Sequence, residues 1–82
     1  MNQTICRAIR DRRVLSFIYE EGGRRTVEPF CHGVSTAGNE VLRGYQTGGY
    51  SSSGKPVDWK LFTVAKMQSV RITDQVFTGY RP

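Results

Sequence analysis

The sequence has few of the residues on which several protein classes depend. Its 82 residues include two cysteines, one histidine and one tryptophan. Two cysteines are too few for the disulfide framework of a small secreted protein, so we expect Cys6 and Cys31 to be free thiols in a reducing compartment, the cytoplasm. The Cys31-His32 pair has no second Cys/His pair to complete a closed zinc site, so no metal site is predicted.

Catalytic patterns are also missing. There is no paired-carboxylate motif and no nucleophile beside a base, and the one histidine, His32, has no recognisable orienting partner in the sequence. We expect a buried Cys31 thiol beside a surface imidazole. A chain of this length is also too small for a deep cleft between two layers. The sequence therefore predicts neither an enzyme nor a bound cofactor.

Long apolar runs are absent as well. No segment has the length that spanning a bilayer needs, and the N-terminus lacks the apolar core of a signal peptide. Hydrophobic residues make up 38% of the chain, which also contains nine glycines. This composition is typical of one small, turn-rich β domain, expected here over residues 1–82, in the cytoplasm and without a membrane partner.

The charge is unbalanced in favour of cations. Twelve lysines and arginines outnumber seven aspartates and glutamates, which gives a net charge of +5. Nine of the cations are arginine, whose planar guanidinium recognises phosphate through two parallel hydrogen bonds and stacks on bases. The charge indicates a polyanion or an acidic partner, and the alternative is a set of solvated cationic surfaces.

The first residues predict a short helix over about residues 3–12. Asn2 or Thr4 can cap its start. Three apolar residues have the spacing of a single helical stripe, namely Ile5, Ala8 and Ile9. A helix this short is not stable alone in water, so we expect it to cover an open end of the following sheet.

Between about residues 14 and 73, short β-rich runs alternate with turn residues. Gly22 and Gly23 predict a hairpin turn, because glycine adopts the positive φ angles that tight hairpins need. Pro29 removes a backbone donor, so its strand should lie at an edge there or bend away. Gly44 predicts a bend or a close approach by another backbone. Five such runs predict a small barrel that closes on itself to hide its edges.

Residues 57–70 have the strongest apolar pattern. Alternation places Trp59 and Leu61 on one face and Phe62 on the other, so this strand is apolar on both sides or shifts phase at a bulge. Either arrangement predicts a central strand. A tail over residues 74–82 follows and is expected to fray beyond two apolar anchors. These anchors are Val76 and Phe77.

Short segments spread over residues 5–77 form a series. They are Ala8-Ile9, Phe17-Ile18-Tyr19, the Gly22-Gly23 turn, residues 25–29, Glu40-Val41-Leu42, Lys60-Leu61-Phe62, Ala65-Lys66-Met67 and Phe77. In order and spacing, this series resembles the WYL domain. Of the Trp-Tyr-Leu step that names the family, the chain keeps only Leu42. Lys60 and Lys66 stand where family members usually have arginine, so the charge is kept without the bidentate geometry.

The resemblance implies a small five-stranded SH3-like (Sm-like) barrel with a short N-terminal helix. It also implies a ligand-sensing role in bacterial transcription regulators and phage-defence proteins, where the domain usually accompanies a helix-turn-helix domain. No helix-turn-helix fits in this chain, so a free-standing WYL-like module is expected. Transferred position by position, the ligand-binding candidates are Arg25, Tyr45, Lys60 and Lys66. Their structural alternatives are a core or rim aromatic for Tyr45 and solvated strand-face residues for the cations.

Together, these features predict a non-catalytic module that binds single-stranded nucleic acid or a nucleotide-like anion. Cations would hold the phosphates, and Tyr45, Trp59 or Tyr50 would offer a stacking face. The alternative is a protein-interaction or assembly module, which pairs with a partner or a second copy through an exposed barrel edge.

Overall fold

The computed structural model describes residues 2–20, 22–51 and 54–81. The elements are helix α1 (Gln3–Asp11), strands β1 (Arg13–Tyr19), β2 (Arg24–Val34), β3 (Glu40–Gly49) and β4 (Asp58–Thr63), a 3₁₀ turn (Val64–Lys66) and strand β5 (Met67–Val76). The fold is mainly β with a short N-terminal helix, as the sequence predicted. Within the described ranges, no helix has the length and hydrophobicity that crossing a bilayer requires.

Helix α1 is capped by a residue that the sequence indicated as a cap. The Asn2 side chain accepts a hydrogen bond from the Ile5 amide at 3.1 Å, which satisfies one of the donors left open at a helix start. The helix ends where Arg12 adopts a left-handed conformation with φ of 52°. Ile5 and Ala8 are fully buried, and Ile9 packs partly buried against the same core. The predicted apolar stripe is therefore confirmed.

All five strands form one antiparallel sheet in the order β4-β3-β2-β1-β5. Strand β4 lies at one end, so the prediction of a central strand over residues 57–64 is wrong. Its two faces are covered without a second neighbouring strand, because Phe62 faces the core and Trp59 packs against Phe30 on the other side. Among the described strands, no ladder joins β4 to β5, so the sheet is not closed.

The sheet curls until rings from β1 and β4 meet. The ring centroids of Phe17 and Phe62 are 5.1 Å apart, and those of Tyr19 and Phe62 are 5.0 Å apart, both edge to face. Helix α1 packs on β1, β2 and β5 and covers the same side. This side is the concave face, and the opposite side is the convex face. The core on the concave face consists of Ile5, Ala8, Leu15, Phe17, Tyr19, Val27, Leu42, Phe62 and Met67.

The glycines of the first turn serve a different purpose from the predicted one. Among the described residues of this turn, Glu20 has a positive φ, at 54°, whereas neither Gly22 nor Gly23 has one. A Cβ on Gly22 would lie 2.9 Å from Cδ2 of Tyr50, and one on Gly23 would lie 3.2 Å from Cβ of Tyr50. Tyr50 therefore packs directly on the turn, and a side chain at either position would force Tyr50 to shift.

Strand β2 has two strand neighbours only in its first half. Its pairing with β1 ends at Val27, while its pairing with β3 continues to the end of the strand. Pro29 lies beyond that point, next to a β-bulge whose extra residue is Phe30. The predicted edge or bend at Pro29 is therefore confirmed. A Cβ on Gly44 would lie 2.8 Å from the carbonyl oxygen of Glu28, which confirms the predicted close approach.

The C-terminal segment leaves the sheet later than predicted. Strand β5 runs to Val76, past the expected end of the barrel at about residue 73. Val76 is exposed and does not act as an anchor. Phe77 does, because its ring centroid lies 5.4 Å from that of Phe30 and its amide donates to the carbonyl of Arg12 at 2.9 Å.

Candidate functional site

Arg25 lies on the concave face of β2 and is surrounded by aromatic rings. Alternation along β2 puts its side chain on the same face as the core residue Val27, and only 6% of Arg25 is exposed. Its guanidinium carbon lies 5.3 Å from the ring centroid of Tyr19, 5.6 Å from that of Tyr50 and 5.9 Å from that of Phe62. These distances are within the range of cation–π attraction.

The polar contacts of Arg25 leave its charge without a counterion in the described part of the chain. Its Nη1 donates to Oε1 of the fully buried Gln46 at 3.4 Å, and Nε2 of Gln46 donates to the carbonyl of Tyr50 at 2.8 Å. The buried Nε of Arg25 has no hydrogen-bond partner within those residues, and no described carboxylate forms an ion pair with it. Such an isolated buried cation is costly.

Lys60 lies at the rim of the same face. It pairs with the buried Gly44 across β3 and β4, and alternation puts it on the same side as Phe62. Its Nζ donates to Oγ of Ser51 at 3.0 Å. Ser51 follows Tyr50, whose ring contacts the Arg25 guanidinium. Two of the four predicted residues, Arg25 and Lys60, thus approach the same short segment of chain.

Lys66 has different surroundings. It belongs to the 3₁₀ turn, and its exposed Nζ lies 3.9 Å from a carboxylate oxygen of Glu20. This exposed pair contributes little to stability. Among the described residues, Arg25 and Lys60 have other polar partners, Gln46 and Ser51 respectively. The structure therefore does not join Lys66 to the concave-face cations.

Tyr45 lies on the convex face, away from Arg25. The Arg81 guanidinium carbon stands 4.3 Å from the Tyr45 ring centroid, and the Trp59 ring meets Tyr45 edge on at 5.5 Å. Arg81 also donates two hydrogen bonds to the buried Glu28 carboxylate, at 2.8 and 2.9 Å. The Glu28 carboxylate thus neutralises this guanidinium, and these hydrogen bonds hold the pKa of Arg81 above its usual range. The tail thus covers one face of Tyr45.

Sequence reasoning missed this convex-face cluster. Phe30 packs on Trp59 with centroids 5.0 Å apart, and Arg43 stands 5.0 Å above the Trp59 ring. Arg43 and Tyr45 alternate along β3, which signals a shared face. Alternation along the sequence could not predict the bulge at Phe30 or the return of the tail, since both depend on strand pairing.

A second polar group was also missed, and it corrects the prediction for Cys31 and His32. Cys31 is exposed, whereas the His32 side chain is only 4% exposed. Nδ1 of His32 lies 3.4 Å from Sγ of Cys6 on α1, and its Nε2 is hydrogen-bonded to Oε2 of Glu40. The histidine therefore has both a thiol neighbour and an orienting carboxylate.

Glu40 is held in place from two sides. The backbone amide of Asn2 donates to Oε2 at 2.7 Å. That hydrogen bond, followed by the one from His32, holds the pKa of the Glu40 carboxyl below its usual range. Both cysteines are free, as predicted. Among the described residues, no group of histidine, cysteine and carboxylate side chains has an arrangement that could hold a metal ion.

Comparison of the chain with protein-family models, with curated proteins and with solved structures finds no match.

Proposed function

We propose that the chain is a non-catalytic binding module of the WYL type, with an SH3-like fold, whose ligand is a nucleotide-like anion or a single-stranded nucleic acid. The observation that carries this proposal is the buried Arg25 guanidinium, which has aromatic neighbours and no described counterion. A buried cation without a carboxylate is suited to an anion that arrives from outside.

Phosphate fits this guanidinium well. Only Nη1 donates to a described protein acceptor, the Gln46 amide oxygen, and that bond is long at 3.4 Å. The remaining donors of the fork can bind two phosphate oxygens in parallel. Low polarity around Arg25 strengthens such a bond relative to one in water. Lys60 at the rim adds a second cation for the same ligand or for the next phosphate of a strand.

The surroundings of Arg25 favour a nucleotide over a bare anion. The Tyr50 ring contacts the guanidinium while half of the residue is exposed. It rests against the turn at Gly22 and Gly23, where a side chain would collide with it. A ring fixed on one side and exposed on the other offers a stacking face for a base. Tyr50 therefore replaces Tyr45 as the stacking residue in this proposal.

The broader role follows from the resemblance. Five antiparallel strands with a covering helix support an SH3-like arrangement, although the ladder is open between β4 and β5. In this proposal the module senses its ligand as part of bacterial transcription regulation. Two unpaired thiols support a reducing compartment, the cytoplasm.

Fluorescence anisotropy with short labelled DNA and RNA single strands, repeated over a salt series, tests the proposal. We expect Lys60→Ala to weaken binding and to flatten the slope of log K against log salt by about 0.7, the value for one lost phosphate contact. Arg7→Ala is the matched control, since it removes one exposed charge from the helix. Lys66→Ala tests the fourth transferred cation separately.

Three results distinguish the alternatives. A loss confined to Lys60→Ala supports the concave-face site, and an added loss in Lys66→Ala extends that site to the 3₁₀ turn. Equal losses in Lys60→Ala and Arg7→Ala would show diffuse attraction to the net positive charge, without a site. No binding of any oligonucleotide or mononucleotide by the unmodified chain would reject the proposal.

A second candidate function is self-association through the β4 end of the sheet. Leu61 on β4 is 64% exposed and Val34 on β2 is 62% exposed. They share a groove of about 240 Å³. Its lining residues are Cys31, His32, Gly33, Val34, Val41, Arg43 and Leu61. Sedimentation over a concentration series would reveal a dimer, and Leu61→Asp should dissociate it, because a charge would replace apolar contact area.

A further inference from the structure

Three side chains from different elements form one hydrogen-bonded row. Cys6 comes from α1, His32 from β2 and Glu40 from the start of β3. Sγ of Cys6 lies 3.4 Å from Nδ1 of His32, and Nε2 of the same ring bonds to Oε2 of Glu40. This is the order of a nucleophile, a base and a group that orients the base. It lies outside the anion site proposed above.

The carboxylate decides which ring nitrogen carries a proton. Glu40 accepts from the Asn2 amide, and its pKa is held below the usual range, so at neutral pH the carboxylate is ionised and only accepts hydrogen bonds. Nε2 of His32 must therefore be protonated. Nδ1 is then the nitrogen that takes the proton from Cys6 Sγ. After the transfer, Glu40 stabilises the imidazolium and the imidazolium stabilises the thiolate.

We propose that Cys6, His32 and Glu40 form a reactive-thiol site, at which Cys6 is modified by small electrophiles such as hydrogen peroxide. The thiolate attacks one peroxide oxygen, so that an S–O bond forms and the O–O bond breaks. The leaving hydroxide takes the proton from Nδ1 of His32 and becomes water. The sulfur is oxidised to a sulfenic acid and the peroxide is reduced. Glu40 is a positioning residue, because it acts only through the imidazole.

The second cysteine provides an internal control. Cys31 is exposed, whereas Cys6 is only partly so. Accessibility alone would therefore make Cys31 react first. However, the chain has a single histidine, and both of its ring nitrogens are occupied by Cys6 and Glu40. Cys31 thus has the better access but no imidazole. The proposal therefore predicts that Cys6 reacts faster than Cys31.

The first experiment measures alkylation by iodoacetamide in two variants at neutral pH. Cys31→Ser leaves Cys6 as the only thiol, and Cys6→Ser leaves Cys31. We expect Cys6 to react faster by about tenfold or more, because its thiolate is formed with the help of a base. Hydrogen peroxide followed by dimedone, read by mass spectrometry, should label Cys6 first. Equal rates, or a faster Cys31, would overturn the proposal.

The second experiment adds His32→Gln or Glu40→Gln to the Cys31→Ser chain. Both substitutions should slow alkylation of Cys6 and reduce the ultraviolet absorbance of its thiolate. Loosening of the helix would act in the opposite direction, since it would expose Cys6 and speed its reaction. A faster or unchanged rate, or an unchanged thiolate absorbance, would therefore contradict the proposal. Circular dichroism records whether each variant keeps the native fold.

Discussion

Arg25→Met is the substitution that best separates a ligand-binding role of this arginine from a structural one. Methionine keeps an unbranched apolar side chain about as long as arginine up to its Nε, in a site that is 94% buried, since Arg25 is 6% exposed. It removes the charge and all five donors. If the guanidinium exists to bind an anion, the empty protein should not depend on it for stability.

The expected change in the free energy of unfolding is the balance between the contacts that Arg25 loses and the desolvation cost of its charge. The lost hydrogen bond to Gln46 is long, at 3.4 Å, so its loss costs about 1 kcal/mol, the low end of the range for a buried acceptor left without its donor. Three cation–π contacts lie at 5.3 to 5.9 Å, near the limit of that interaction, and contribute about 0.5–1 kcal/mol each. Against this, removing the charge abolishes a desolvation cost of several kcal/mol. We expect a free energy of unfolding that is unchanged, or higher by about 1–2 kcal/mol.

Urea denaturation, followed by Trp59 fluorescence, measures the change in the free energy of unfolding. The same titration with AMP at about a hundred times its dissociation constant should stabilise the unmodified chain by about 2.7 kcal/mol. AMP should not stabilise Arg25→Met. A loss of about 3 kcal/mol or more in the variant without AMP, the size seen when a buried pair is broken, would refute the reasoning. So would an equal response of both chains to AMP.

Three further predictions test the fold. Ile5→Ala should lower the free energy of unfolding by about 2–5 kcal/mol, because Ile5 is fully buried. Replacing the partly buried Ile9 by alanine should lower the free energy of unfolding by less, and urea denaturation compares the two variants. Gly44→Ala should lower the melting temperature, since its Cβ would lie 2.5 Å from the Val27 side chain, whereas Gly33→Ala, with open space, should not. Because the Glu40 pKa is lowered on folding, its contribution to stability is present above about pH 4.5 and is lost as pH falls through the lower native value. Stability measured from pH 7 downwards should therefore fall less steeply in Glu40→Gln.

The sequence by itself determined the features that depend on neighbouring residues. The cap at Asn2 and the stripe of Ile5 and Ala8 follow from helical spacing, and the structure has both. Pro29 and Gly44 predicted where a strand bends and where two backbones approach, because a missing donor and a missing Cβ act locally. The number of strands was also predicted, since each strand has its own turn residues.

The apolar pattern of β4 predicted the faces of its side chains but not the position of the strand in the sheet. Trp59 and Phe62 do lie on opposite faces of β4, yet the strand is at the end of the sheet. Alternation reports only that both faces are covered. A curled sheet on one side and the returning C-terminal segment on the other give the same pattern as two flanking strands. The sequence alone does not distinguish between these two arrangements.

Only the tertiary structure decided which functional side chains lie next to each other. Arg25 meets rings from β1, β4 and the segment after β3, and Cys6 meets His32 from 26 residues away. Tyr45 was separated from Arg25 by the same strand pairing, because the two side chains lie on opposite faces of one sheet. Periodicity assigns each side chain to a face, whereas the order and register of the strands set its neighbours, and these depend on contacts between distant parts of the chain.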